Sequence, residues 1–253
     1  MKCGQRQRRS PGARDNPMTT LAVLQPGYLP WLGFFDQVAR SDFFVLYDDA
    51  QFDKHGWRNR NRIKSAKGPV WLTVPVLHSG RAGQAINETE VDARSPWAKK
   101  QLRTIAQLYA KAPFVTHYLP EIEEILLRPW RRLAELDNAL SLRMCQWFGI
   151  ERRLYLSSEL NVGGDRNGRL INLCRHFGVS NYLSGNSAQD YLDVAAFGDN
   201  GISVEWQNFS HPVYPQLHGP FVSHLSAIDL LLNVGPESAA VLESARAGGR
   251  IAR

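Results

Sequence analysis

The chain has 253 residues, 43% hydrophobic and 21% charged, which is the balance of a globular protein rather than a disordered, fibrous or repeat chain. No run approaches the roughly 20 apolar residues that span a bilayer, and the basic start carries no apolar signal region, so neither membrane insertion nor signal-directed export is expected. The net charge of +6 gathers at the two ends, in Lys2, Arg6, Arg8, Arg9 and Arg14 against Asp15 and in Arg246, Arg250 and Arg253 against Glu243, which leaves residues 18–242 neutral and argues against a basic nucleic-acid groove.

Residues 1–17 have no apolar periodicity and read as a disordered basic extension. Met18 then opens MTTLAVLQP, a natural start of translation running into a strand, and the alternative is a genuine basic arm. Leu21–Gln25 reads as a buried strand stopped by Pro26-Gly27, and WLGFFDQVAR as a short helix. Phe43–Asp49 is a second strand ending in acids, so the stretch has the size of a βαβ unit. Gln51–Gly68 reads as a polar loop in which Lys54, Arg58, Arg60, Arg62, Lys64 and Lys67 face only Asp53. Val70–Val76 and Ala85–Val91 read as strands.

Residues 96–149 are helical in pattern, with starts at Pro96-Trp97, at Pro113 or Pro120, and at Pro129, and a stop at Gly149. Strands then alternate with helices: strand 153–157, helix 168–177, strand 181–183, helix 188–197, strand 202–205. Two helices, 225–232 and 237–245, close the pattern, and residues 246–253 read as a disordered tail. The expected fold is therefore α/β: a Rossmann-like layered sheet with a helical insertion in the middle of the chain, in a single domain over 18–245. The three cysteines, Cys3, Cys145 and Cys174, have no metal spacing and fit a reducing cytoplasm.

Four loops carry the polar chemistry. The first, Gln25–Gly33, joins the first strand to the first helix, where open α/β sheets bind ligands. Tyr28 and Trp31 can stack there on a planar or sugar ring, and Gln25 offers a polar group a core turn does not need. The second joins Asp48, Asp49 and Gln51 to Trp57, Arg58, Asn59, Arg60, Asn61 and Arg62. In extended form the three arginines share one face and suit a carboxylate or phosphate, while the acids could deprotonate an amine. The third, Ser184-Gly185-Asn186, follows a strand and could offer N–H groups to an oxyanion, with Tyr191 close behind. The fourth, His211–Gln216, holds His211 as a candidate base beside Tyr214 and Gln216. Each has a plain alternative: a packed turn, a solvated basic loop, a helix cap, a structural histidine. No metal set stands out. Without GxGxxG or GxxxxGK[ST], neither a dinucleotide nor a P-loop site is supported, and no cofactor is named.

Taken in order, LQPGYLPWLGFFDQVARSDFFVLYDDAQFDKHGWRNRNRIKSAKGPVWLTVPV (24–76), YLSGNSAQDYLD (182–193), HPVYPQ (211–216) and LSAIDLLLNVG (225–235) resemble the WbqC-like family of bacterial proteins. The resemblance covers most of residues 19–238. It implies a place in O-antigen or other surface-polysaccharide synthesis, and transfer of glycine or another aminoacyl group to a sugar amine. The family's shared loops fall on the four regions above, without a catalytic assignment. Lys54-His55-Gly56 is a position where variable polar residues are expected, and the segment after Gly235 carries no family signal.

The leading expectation is a cytoplasmic transferase that forms an amide on a nucleotide-linked amino sugar. Arg58, Arg60 and Arg62 would hold phosphates, and Tyr28, Trp31 and Trp57 would stack on the sugar or base. His211, Asp49 or Asp48 would take the proton. The partner is then a small molecule, a nucleotide-sugar or an aminoacyl donor, with nucleic acid entering only as an aminoacyl-tRNA donor. The alternatives are a non-catalytic nucleotide-sugar-binding or scaffold protein and an ATP-dependent amino-acid-activating enzyme. The oligomeric state is not legible.

Overall fold

The computed structural model describes residues 18–247. The basic extension at 1–17 and residues 248–253 lie outside them.

Five strands form one parallel sheet in the order β5-β2-β1-β6-β7: β1 Thr20–Leu24, β2 Phe43–Leu46, β5 Leu154–Leu156, β6 Asn181–Ser184 and β7 Ser203–Trp206. Each neighbouring pair is parallel. The central strands read as continuous apolar runs because helices cover both faces of the sheet. Their alternation still assigns the faces. Ala22, Phe44 and Leu46 enter one core, with Phe34, Phe35 and Leu140, while Leu21, Val23 and Val45 enter the other, with Ile171, Leu173 and Phe197. The two edges are short or half-exposed, which limits strand addition from outside.

Helix α1, Leu32–Arg40, lies on the first core through Leu32, Phe34, Phe35 and Val38. An antiparallel ribbon follows, β3 Arg60–Ser65 with β4 Gly68–Thr73. The middle of the chain is helical: α2 Trp97–Leu108, α3 Val115–Leu126 and α4 Leu133–Trp147, all feeding the same core. Short α5, Ser157–Leu160, follows β5, and α6, Arg166–Phe177, and α7, Val194–Asp199, belong to the opposite face. Helices α8, Ile228–Val234, and α9, Ser238–Ala247, end the described chain. The last helix thus continues past Ala245 into the expected tail.

Three expectations need correction. The basic loop 51–68 is half ribbon: in RNRIKS the inward positions are Asn61 and Ile63, and Asn61 is buried because backbone carbonyls satisfy it. Residues 85–91 form only the isolated bridges Gln51–Ala85, Val76–Val91 and Glu90–Arg132, since no neighbour offers a continuous edge. The helix expected over 188–197 splits into a 3-10 turn at Asn186–Ala188 and α7. Among the described residues no helix is long and apolar enough to cross a membrane.

Candidate functional site

The strand order places β1 at the centre, with the chain stepping outward through β2 on one side and through β6 on the other. The carboxyl end of β1 is thus a topological switch point, where open α/β sheets leave a crevice. A cavity of about 550 Å³ opens there, walled by Leu24 and Gln25 of β1 and its loop, Tyr47 after β2, and Tyr182 of β6.

The β1–α1 loop forms its floor and is held stiffly. The Tyr28 N–H donates to the carbonyls of Trp57 (3.2 Å) and Arg58 (3.1 Å), and the Tyr28 hydroxyl donates to Gln101 Oε1 at 2.7 Å. Leu29 has a left-handed backbone at φ 45, unusual for a branched residue. Asn61 Nδ2 holds it there, donating to the carbonyls of Leu29 (2.7 Å) and Tyr28 (3.3 Å). Gly27 packs closely, since a Cβ there would sit 3.1 Å from the Trp57 carbonyl oxygen.

Trp31 caps α1 and folds its indole back over Gly33, where a Cβ would meet the ring at 2.3 Å. The other face of Trp31 stacks on His224, with centroids 5.4 Å apart and planes at 20°, and both rings line the cavity. His224 also has a positive φ of 57. His211 packs behind it, its centroid 5.4 Å away. His211 Nδ1 lies 3.1 Å from the Pro212 carbonyl, so that nitrogen carries the proton, and Nε2 is buried without a partner among the described residues. Burial, reinforced by His224 and opposed by the Pro212 bond, lowers the His211 pKa and keeps the ring neutral.

Two guanidiniums reach the cavity, Arg58 and Arg166. Arg166 opens α6 and lies 4.0 Å over the ring of Tyr191. Neither has a carboxylate within ion-pair distance among the described residues. Asp137 of α4, whose charge acts on Arg58, is fully buried, with neither oxygen hydrogen-bonded among the described residues. Burial raises the Asp137 carboxyl well above its usual range, against the opposing charge of Arg58. Burial lowers Arg58, opposed by Asp137 and Asp53, but a guanidinium starts so high that it remains a cation.

The cavity thus gathers Gln25, Tyr28, Trp31, Trp57, Arg58, Asn61 and Tyr191 from the expected site residues. It adds Tyr47, Arg166, Tyr182 and His224, which sequence reasoning passed over. The remaining candidates lie elsewhere. Asp48 accepts from Ser157 Oγ (3.1 Å), Ser158 N (3.0 Å) and Ser158 Oγ (2.7 Å), capping α5. Asp49 accepts from Ser157 Oγ at 2.5 Å and pairs with Arg169. Burial raises its pKa, and these bonds outweigh that and hold it below the usual carboxylate range. Gln51 sits in the bridge to Ala85, and Asn59 donates to the Val74 carbonyl at 2.8 Å. Arg60 and Arg62 share the alternation of Arg58 but lie on the outer face of the ribbon, so the three arginines are not one clamp.

Ser184, Gly185 and Asn186 form a turn outside the lining of the cavity, where the Ser184 carbonyl accepts from the Gln207 N–H and the Asn186 side chain pairs with Asn208. Tyr214 and Gln216 converge on Asp229, far from a ligand role. Both described thiols, Cys145 and Cys174, are buried and pushed up to about 12, which leaves them unreactive. Among the described residues no three His, Cys, Asp or Glu side chains form a metal-sized group.

A parallel five-stranded sheet with helices on both faces and an aromatic cavity at its switch point places the chain in the layered α/β class. The chain belongs to the WbqC-like protein family, whose model matches residues 25–241. It is 38% identical over 223 residues to the uncharacterized protein Rv1507c of Mycobacterium tuberculosis, covering 87% of this chain and 96% of that protein. No solved structure matches it.

Proposed function

We propose that the cavity binds a nucleotide-linked amino sugar and that the protein transfers an aminoacyl group to the sugar amine, as a step in bacterial surface-polysaccharide synthesis. The observation that carries this reading is the pair of guanidiniums, Arg58 and Arg166, set with no carboxylate in ion-pair distance among the described residues in a wall of Tyr28, Trp31, Tyr47 and Tyr191. Cations without an ion-pair partner among the described residues call for an anion, and flat aromatic walls for a ring. Family membership supports the pathway.

Among the described residues no Ser or Cys lines the cavity, so the simplest route is direct attack rather than an acyl-enzyme. The amine nitrogen bonds to the acyl carbonyl carbon, and the leaving group departs with the electron pair of its bond. The amine proton passes to the imidazole of His224, which lines the cavity, and His211 behind it holds that ring in place.

The test is mass spectrometry of a nucleotide amino sugar incubated with an aminoacyl thioester. The expected product is heavier by one aminoacyl residue, with turnover falling in His224→Gln and KM rising in Arg58→Gln. A second reading, binding without transfer, is favoured by Asp48 and Asp49 both being committed to structural partners. Tight sugar binding without product under any donor would select it. Pyrophosphate release from ATP and free amino acid would instead select the activating-enzyme alternative.

A further inference from the structure

The outer face of the β3–β4 ribbon is outside the cavity and unused by the proposed reaction. Along β3 the side chains of Asn61 and Ile63 turn inward, which leaves Arg60 and Arg62 outward, and Arg62 stands across the ribbon from Trp71. Trp57, from the preceding loop, joins them, its ring 5.3 Å from that of Trp71. The two indoles are 43% and 45% exposed.

Arg60 Cζ lies 4.5 Å from the Trp71 ring, and Arg62 Cζ lies 5.4 and 5.6 Å from the rings of Trp57 and Trp71. The bonds these arginines do make go to carbonyls, of His55 and Gly56 for Arg60 and of His224 for Arg62. Neither is paired with a carboxylate among the described residues. Two exposed indoles and two cations with no carboxylate in ion-pair distance thus share one strip of surface.

We infer that this strip binds single-stranded nucleic acid, with successive bases on the indoles and phosphates on Arg60 and Arg62. Stacking platforms alternating with cations are what an unpaired strand requires. A mononucleotide would engage one ring and leave the other bare. A neutral glycan could stack but has nothing for the guanidiniums. A duplex hides its base faces. The neutrality of residues 18–242 as a whole does not oppose this, because Arg60 and Arg62 set a local positive charge on the strip with no carboxylate in ion-pair distance among the described residues.

The strip is continuous with the cavity, since Trp57 also lines it and Arg62 bonds the carbonyl of His224, another lining residue. A strand seated on the ribbon therefore brings its terminal nucleotide to the cavity mouth, which suits an acyl donor carried on a nucleic-acid end. The binding goes beyond the proposed transfer and stands whether or not the cavity performs it.

The experiment is fluorescence anisotropy of a labelled oligouridylate, about ten nucleotides long, titrated with the full chain over a range of salt. The account expects saturable binding that weakens with salt. Trp71→Ala should weaken it roughly tenfold, at about 1–3 kcal/mol for each stacked base. Arg60→Gln should reduce the salt slope by about 0.7. Trp71→Ala should leave the nucleotide-sugar affinity of the cavity unchanged. The inference is overturned if the oligouridylate does not bind, or if both variants bind it like the unaltered chain, which would place any binding on the basic ends. It is also overturned if uridine monophosphate or a duplex of equal length competes as well as the single strand. Intact strand binding with an unresponsive cavity would sink the transferase reading and leave this one standing.

Discussion

Asp229 on α8 is the acceptor on which the HPVYPQ loop closes, and its removal has a calculable cost. The Tyr109 hydroxyl donates to Oδ2 at 2.5 Å, while the Tyr214 hydroxyl (3.0 Å) and Gln216 Nε2 (2.8 Å) donate to Oδ1. The carboxyl is fully buried, and burial holds its pKa above the usual range although all three donors oppose the shift. Asp229→Ala strands two buried hydroxyls and the half-buried Gln216 amide. At about 1–3 kcal/mol each, with partial relief from water entering the vacated space, the expected loss is roughly 3–6 kcal/mol. That is a large share of the about 5–15 kcal/mol that holds a typical domain together.

Asp229→Asn keeps one oxygen for Tyr214 and Gln216 and fails only at Tyr109, so it should cost about 1–2 kcal/mol. Urea unfolding followed by tryptophan fluorescence measures both, with midpoints shifted and slopes unchanged. An Ala variant within about 1 kcal/mol of the unaltered chain would refute the reasoning. So would an Asn variant as damaged as the Ala one.

Three other outcomes are expected. Gly33→Ala drives the Trp31 ring from its place, since the new Cβ would sit 2.3 Å from it. Ligand affinity should fall by about 1 kcal/mol, roughly fivefold, as the stacked Trp31–His224 wall is lost, and unchanged affinity and fluorescence would contradict this. Asp137 has its folded pKa raised by burial, so the folded state keeps a proton that the unfolded chain releases. Its contribution to stability is therefore full below about pH 4 and is lost as pH rises through the folded value. Asp137→Asn should flatten that slope in urea midpoints taken across pH, and an identical slope would show that the acid is not buried neutral. Phe35→Ala, at a fully buried position packed on Phe34 and Phe148, should cost about 3–5 kcal/mol by thermal or urea unfolding. A cost under about 1 kcal/mol would remove Phe35 from the core.

The central sheet was legible because β1 and β2 are uninterrupted apolar runs and α1 repeats its apolar residues at helical spacing. The ribbon strand β3 was not, because RNRIKS hides its inward face behind Asn61, whose burial depends on carbonyls contributed by a loop thirty residues earlier in the chain. Residues 85–91 misled in the other direction, since alternation alone makes no strand without an edge to join.

The β1–α1 loop and Arg58 were readable from local chemistry. Arg166, Tyr47 and His224 were not, because they reach the cavity from elements that only the sheet brings together. Tyr214 and Gln216 look like ligand groups in sequence, and their partner Asp229 lies on a later helix, so nothing local separates wiring from binding. The acids after β2 show the same limit, because the serines and arginine that engage them lie more than a hundred residues away.

The most direct test of the central claim is calorimetric titration of a nucleotide-linked amino sugar into the full chain and into Arg58→Gln. The account predicts one saturable site that Arg58→Gln weakens about tenfold, the worth of a charge-assisted hydrogen bond of about 1.5 kcal/mol or more, in a variant that unfolds like the unaltered chain. Equal affinity in the two proteins, or no binding by the folded chain, would contradict the assignment of the cavity.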